Sequence, residues 1–219
     1  MGCRALPLFG LIALLGSACA FNNVPLTLPE KGLDPTLGGG RNRQVIVIVP
    51  FTDQRAIRNR CGMQKNGYNM DTADAVCQSD PSLWIANLLA AELRASGFQV
   101  VNSDVPHRAG AVVIQGALKK LFVEPVIGMW SGSLETDLET TLTLSSEDGL
   151  RAERTFFVKG VQKGVLLSTL DPYHSSLTRA GQASLKEMVA AIIELMNRYP
   201  QLGSAGRDAI CTDAWKVAS

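Results

Sequence analysis

Residues 45–51 read Val-Ile-Val-Ile-Val-Pro-Phe, and this run constrains the architecture more than any other stretch of the chain. Side chains branched at Cβ lose rotamer freedom against a helical turn, so five in succession favour a strand. Because the run is continuous rather than alternating, neither face of that strand is suited to water. The chain must therefore build a sheet whose first strand is covered on both sides. Pro50 has no N–H to give a ladder, so it ends the strand or sets it near an edge.

A helix is predicted from Asp80-Pro81, an N-cap followed by proline at N1. Leu83, Trp84, Leu88, Ala91 and Leu93 give it a broad apolar face, and Gly97 supplies its C-cap. Phe98 to Val101 then reads as a second strand. Ala111 to Val123, Leu134 to Ser145 and Arg151 to Val161 read as three more, an antiparallel meander with one wetter face. Leu138, Leu142 and Leu144 alternate there with Asp137, Glu139, Thr141 and Thr143, and Glu147-Asp148-Gly149 makes a turn. Asp171-Pro172 opens a last helix in which Leu177, Leu185, Met188, Ile192 and Leu195 recur near helical spacing, ending before Pro200. The order β-α-β-β-β-β-α predicts an α+β fold: a mixed, largely antiparallel five-stranded sheet with two helices on one face.

The first residues carry an export signal. Arg4 precedes an apolar run from Leu6 to Leu15 that closes in Gly16, Ser17 and Ala18, and the run is about half the ~20 residues a membrane span needs. Two cleavages compete. Leu14-Leu15-Gly16-Ser17-Ala18-Cys19 resembles a lipobox, which would make Cys19 a lipidated first residue after a signal peptide of residues 1–18. Ala18 and Ala20 form an A-x-A site that would instead release a soluble chain at Phe21. Residues 19–43, with Pro25, Pro29, Pro35 and the Gly38 to Gly40 run, read as a flexible tether. Residues 44–200 form the folded domain and 201–219 a C-terminal tail with Cys211 and Trp215.

Residues Asp53 to Asp80 show no periodicity, and a structureless loop of that length is uncommon unless functional or stapled. Cys61 and Cys77 bracket 15 residues of it, a closure worth ~3 kcal/mol in the chain-entropy model if they form a disulfide in an oxidising compartment. Metal binding is one alternative, but no second cysteine or histidine lies at ligand spacing beside either one; Cys211 is then left unpaired or competes for one of the two.

The chain holds 21 basic and 20 acidic residues, and loss of Arg4 with the signal leaves the remainder balanced. That neutrality offers no long-range field for nucleic acid. Neither G-x-S-x-G, H-E-x-x-H, a P-loop nor a dinucleotide fingerprint is present, so no catalytic residue, metal ligand or cofactor is assigned. His107 and His174 read as ordinary surface residues. The row Glu135, Asp137, Glu139 lacks the glycine and spacing of a calcium loop and reads as the solvated face of a strand. Asp53 and Arg55 alternate on an extended segment, where they either present a small polar site or pair with each other to end the strand. Val126, Ile127, Met129 and Trp130 place large apolar groups where a polar turn is expected, and they are the candidates for contact with a partner or a membrane.

VIVIVPFTDQR, followed after an insertion by SLWIANLLAAELRASGFQVV, resembles the opening of the YajG-like bacterial lipoproteins. Beyond them stands a wider group resembling the TolB amino-terminal domain and CsgG. The strand, Asp53 and Arg55, the amphipathic helix and the Gly97 to Val100 return all correspond, as do the meander and last helix. The cysteine-bearing insertion at 56–80 departs from the shorter loop of that family. The resemblance implies an outer-membrane lipoprotein without known catalysis. The function expected is a binding or assembly module, tethered to the membrane through its lipid and engaging an envelope protein. An accessory subunit of a transport or secretion complex and a secreted soluble enzyme are the alternatives.

Overall fold

The computed structural model describes residues 22–105, 110–128, 132–147, 149–165 and 170–200. In chain order its elements are β1 (Val24–Leu26), β2 (Gln44–Ile48), β3 (Thr52–Asp53), β4 (Gly62–Lys65) and β5 (Asp71–Cys77). They continue with α1 (Pro81–Ala95), β6 (Gln99–Ser103), β7 (Val112–Ile127), β8 (Gly132–Ser145), β9 (Arg151–Val165) and α2 (Asp171–Arg198).

Both helices and the meander form where expected, and the fold is mixed α+β with a large, mostly antiparallel open sheet. Among the described residues the sheet has nine strands, not five. The apolar run forms β2, which lies between β6 and β7, parallel to both. Val45 and Val47 enter the main core under the helices, whereas Ile46 joins Ala111 and Val113 in a small cluster on the opposite face. That two-sided burial is why the run needs no polar alternation. β7, β8 and β9 are antiparallel, paired from Val113↔Ser145 to Ile127↔Gly132 and from Ser145↔Arg151 to Gly132↔Val165.

The extra strands come from two segments expected to lack structure. β3, β4 and β5 lie within the supposed long loop, where β4 and β5 form an antiparallel hairpin and Gly62 pairs with Val123 of β7. Strands of two to seven residues are too short to show a hydrophobic period, so pairing partners rather than pattern fix them. The second segment is the tether at 19–43. Its described part, from Asn22 onward, begins with β1, parallel to β5. It then runs on as a strap with Leu28 buried and Leu33 and Leu37 packed against the core. Prolines and glycines here specify a close-fitting extended path rather than a free one.

The strap lies along both helices. Trp84 Nε1 of α1 donates to the Pro29 carbonyl at 2.7 Å, and Gln182 Nε2 of α2 donates to the Gly32 carbonyl at 3.0 Å. The Leu33 N–H donates to Glu92 Oε2 at 2.9 Å. At its far end the Gly40 N–H donates to the Ser96 carbonyl at 2.9 Å and the Asn42 N–H to that of Gly97 at 2.8 Å. A Cβ on Gly40 would overlap the backbone of Gly97 and Phe98, so only glycine lets the strap cross the end of α1. α1 is capped as expected: Asp80 Oδ1 accepts from the N–H groups of Ser82 and Leu83. α2 packs on β8 and β9, where Gly160 admits its backbone.

Candidate functional site

Asp53 and Arg55 are given to each other. Arg55 is 5% exposed; its Nε and Nη2 donate to Asp53 Oδ1 and Oδ2 at 3.0 and 2.9 Å, and its own backbone N–H donates to Oδ1 at 3.1 Å. The remaining guanidinium hydrogens reach the carbonyls of Arg58 and Arg60 and the sulfur of Cys61. Burial alone would raise the Asp53 pKa, but the hydrogen bonds and charge of Arg55, with the charge of Arg58, hold it below the usual carboxylate range. This is a clamp that closes the segment after β3. Beside it Cys61 is disulfide-bonded to Cys77, Cα–Cα 5.6 Å, and thereby ties β4 to the end of β5.

The carboxylates of β8 form cross-strand ion pairs. Lys159 of β9 reaches Glu135 at 2.7 Å and Asp137 at 3.3 Å, and Lys120 of β7 reaches Asp137 at 2.7 Å. Burial works to raise the Asp137 pKa, yet the hydrogen bonds and charges of Lys120 and Lys159 outweigh it and hold it low. Among the described residues no group of three or more His, Cys, Asp or Glu side chains is disposed to hold a metal ion. His174 is exposed on α2; His107 lies outside the described residues.

A recess of about 400 Å³ opens between the strap and α1. Leu28, Leu83, Trp84 and Leu88 make it apolar, and Glu30, Asp80 and Asn87 stand among its lining residues. Leu83 is 40% exposed, although it lies on the apolar face predicted for the helix. The Glu30 carboxylate has no ion-pair partner among the described residues, and Asp80 has only its cap bonds. This site was not legible in the sequence, because one wall belongs to the segment expected to be a tether.

Val126 and Ile127 do not form a loop. They extend β7, opposite Ser133 and Gly132; Val126 is exposed and Ile127 half-buried. Met129 and Trp130, like Cys19, lie outside the described residues. The neighbouring turn joins β4 to β5. There Asn66 Oδ1 accepts from the N–H groups of Tyr68 and Met70 at 3.0 and 3.1 Å, leaving both side chains outside the core. The Asn66-Gly67 pair was the available signal for this turn.

Residues 40–192 match a family model described as uncharacterized lipoprotein. The chain belongs to that lipoprotein family. The resemblance to YajG-like lipoproteins therefore holds from β2 onward, across β2 to β9 and both helices up to residue 192. No curated protein sequence matches this lipoprotein. Among solved structures, a Xanthomonas campestris protein of the DUF330 family has the same fold. Its TM-score is 0.56 at 11% identity, covering 81% of this chain and 99% of that one. A minor lipoprotein of Acinetobacter baumannii aligns at TM-score 0.37 and 10% identity, covering 73% of this chain and 93% of its own. A hypothetical protein of Chlamydia trachomatis gives 0.42 and 9%, with 69% and 96% covered. Membership implies membrane association through a lipid anchor. Among the described residues no helix is long and apolar enough to cross a membrane.

Proposed function

We propose that this lipoprotein is held at the periplasmic face of the outer membrane through an acylated Cys19. There it acts without catalysis, as a binding or assembly module for another envelope protein. The observation that carries the binding role is the recess between strap and α1. An exposed Leu83 above an apolar floor, beside the Glu30 carboxylate that has no ion-pair partner among the described residues, suits a segment presenting one apolar side chain next to a cation. Two buried charged groups elsewhere in the fold, Arg55 and Glu92, hold backbone, which supports a structural rather than a reactive role for them.

The test is a photoreactive amino acid at position 83 in cells, with one at Phe157 on the outer face of β9 as the control. A discrete cross-linked product from position 83, absent from position 157 and lost when Glu30→Lys is added, supports the reading. Identical products from both positions, or a product indifferent to Glu30→Lys, would reject the recess as the binding site.

A further inference from the structure

The sheet register places the start of the described chain and two strand ends at one end of the molecule. β1 runs parallel to β5 with Val24 opposite Ala75 and Leu26 opposite Cys77, so going back from Val24 leads past Asp71 toward the turn at 66–70. β4 runs parallel to β7 with Gly62 opposite Val123, which points that same turn along the direction in which β7 reaches Ile127. Lys65 Nζ meets Glu124 Oε2 at 3.3 Å, and Tyr173 Oη donates to the Met63 carbonyl at 3.2 Å, which brings the first turn of α2 there too.

Large apolar side chains are exposed at this end. Tyr68 is 86% exposed, Met70 56%, Leu170 48% and Val126 42%. A tyrosine with its ring in the open, beside a flexible thioether, is the amphipathic kind of group that settles at a bilayer interface. Charge is mixed, with Lys65 beside Glu124 and with Asp71 and Asp171 near, so no cationic attraction to lipid headgroups is built in.

Chain length then decides how far this end stands from the anchor. Cys19 is five residues before Val24, a reach of at most about 18 Å when fully extended. From Ala75, opposite Val24, back to Met70 is also five residues, roughly 17 Å at strand rise. The turn extends as far beyond the start of β1 as the anchor can. With β1 fixed in the sheet, a bilayer that holds the lipid lies within that reach of Val24, and the turn at 66–70 projects over the same distance on the same side.

We infer that the end carrying Tyr68 and Met70, flanked by Val126 and Leu170, rests in the headgroup layer of the membrane that holds the protein's own lipid. The body is thus docked on the membrane end-on and does not swing on a tether, and the recess at α1 opens away from the surface along the strap. This inference depends on the acylation of Cys19 proposed above.

The experiment uses the full acylated protein reconstituted into vesicles that contain a trace of phospholipid bearing a diazirine near the headgroup. After photolysis, lipid adducts are mapped by mass spectrometry, and the intact mass reports acylation of the same sample. Adducts at Tyr68 and Met70, equal in zwitterionic and anionic vesicles and several-fold reduced in Tyr68→Ser/Met70→Ser, support the inference. Adducts missing from residues 66–70 of an acylated protein, or gathered instead on Val101 of β6, overturn it and leave the anchor intact. Turn residues shielded from lipid by a bound protein overturn it too. An intact mass without acyl chains removes the anchor reading and this inference together.

Discussion

The indole N–H of Trp84 donates to the main-chain carbonyl of Pro29 across 55 residues of sequence, at 2.7 Å and out of contact with water. With the bonds made at Gly32, Leu33 and Gly40, it holds a proline- and glycine-rich segment as part of the fold. A buried carbonyl left without its donor is costly, so strap and helix depend on each other.

Replacing Trp84 by Phe keeps most of the buried ring and removes the donor, with an expected loss of about 1–2 kcal/mol. Trp84→Ala also opens a cavity, and about 3–5 kcal/mol is expected. Urea denaturation measures both. In hydrogen exchange the Leu33 N–H should lose protection in either variant, while amides of β8 keep theirs until global unfolding.

Gly160 is where β9 meets α2, and a Cβ there would overlap the Ser176 carbonyl oxygen and the Ala180 backbone nitrogen. Gly160→Val should destabilise by about 1–3 kcal/mol through forced displacement of the helix. Gly67 has open space around it, so Gly67→Ala should stay within ~0.5 kcal/mol. Thermal melts of the two variants side by side make the comparison.

Reduction of the Cys61–Cys77 bridge, or Cys61→Ser with Cys77→Ser, should cost ~3 kcal/mol by release of the closed loop. Because β5 carries β1 and the bridge sits at its end, the first amides to exchange freely should be those of Val24 and Leu26. Exchange that begins instead at β6 would show the bridge does not govern that edge.

Burial pushes the Tyr173 hydroxyl up to about 12, from a usual value near 10. An unfolded chain ionises this phenol first. The associated stability is therefore whole below pH 10 and falls as pH rises from 10 to about 12. Tyr173→Phe should lose the bond to Met63 and flatten that part of the alkaline stability profile. Asp137 acts at the other extreme. Its folded pKa is depressed, so its contribution is present above the ordinary carboxylate range and is lost as pH falls through the lowered value. Lys120→Met should weaken that acid dependence.

Long elements were legible in the sequence because their periods repeat often enough to be counted. α1 announced itself through Asp80-Pro81 and its apolar face, and the meander through the alternation of Leu138, Leu142 and Leu144. The pairing of Cys61 with Cys77 was favoured by compartment and by the long loop it closes, with Cys211 left as a competitor until the structure joined the first two. β1, β3, β4 and β5 were not legible, since a segment of two to seven residues presents at most a few repeats. The strap misled for a different reason. Pro25, Pro29 and Gly40 exclude helix in either case, and only the depth of Leu28 and the acceptor role of Pro29 distinguish a packed path from a free one. The recess shares the strap as a wall and was hidden with it, and the turn carrying Tyr68 and Met70 had only Asn66-Gly67 to mark it.

Orientation and anchoring both depend on Cys19, and intact-mass analysis of the mature protein from membranes reads its state. A chain that begins at Cys19 and carries acyl groups is expected. A mature protein that begins unmodified at Phe21 and stays in the soluble fraction would contradict it.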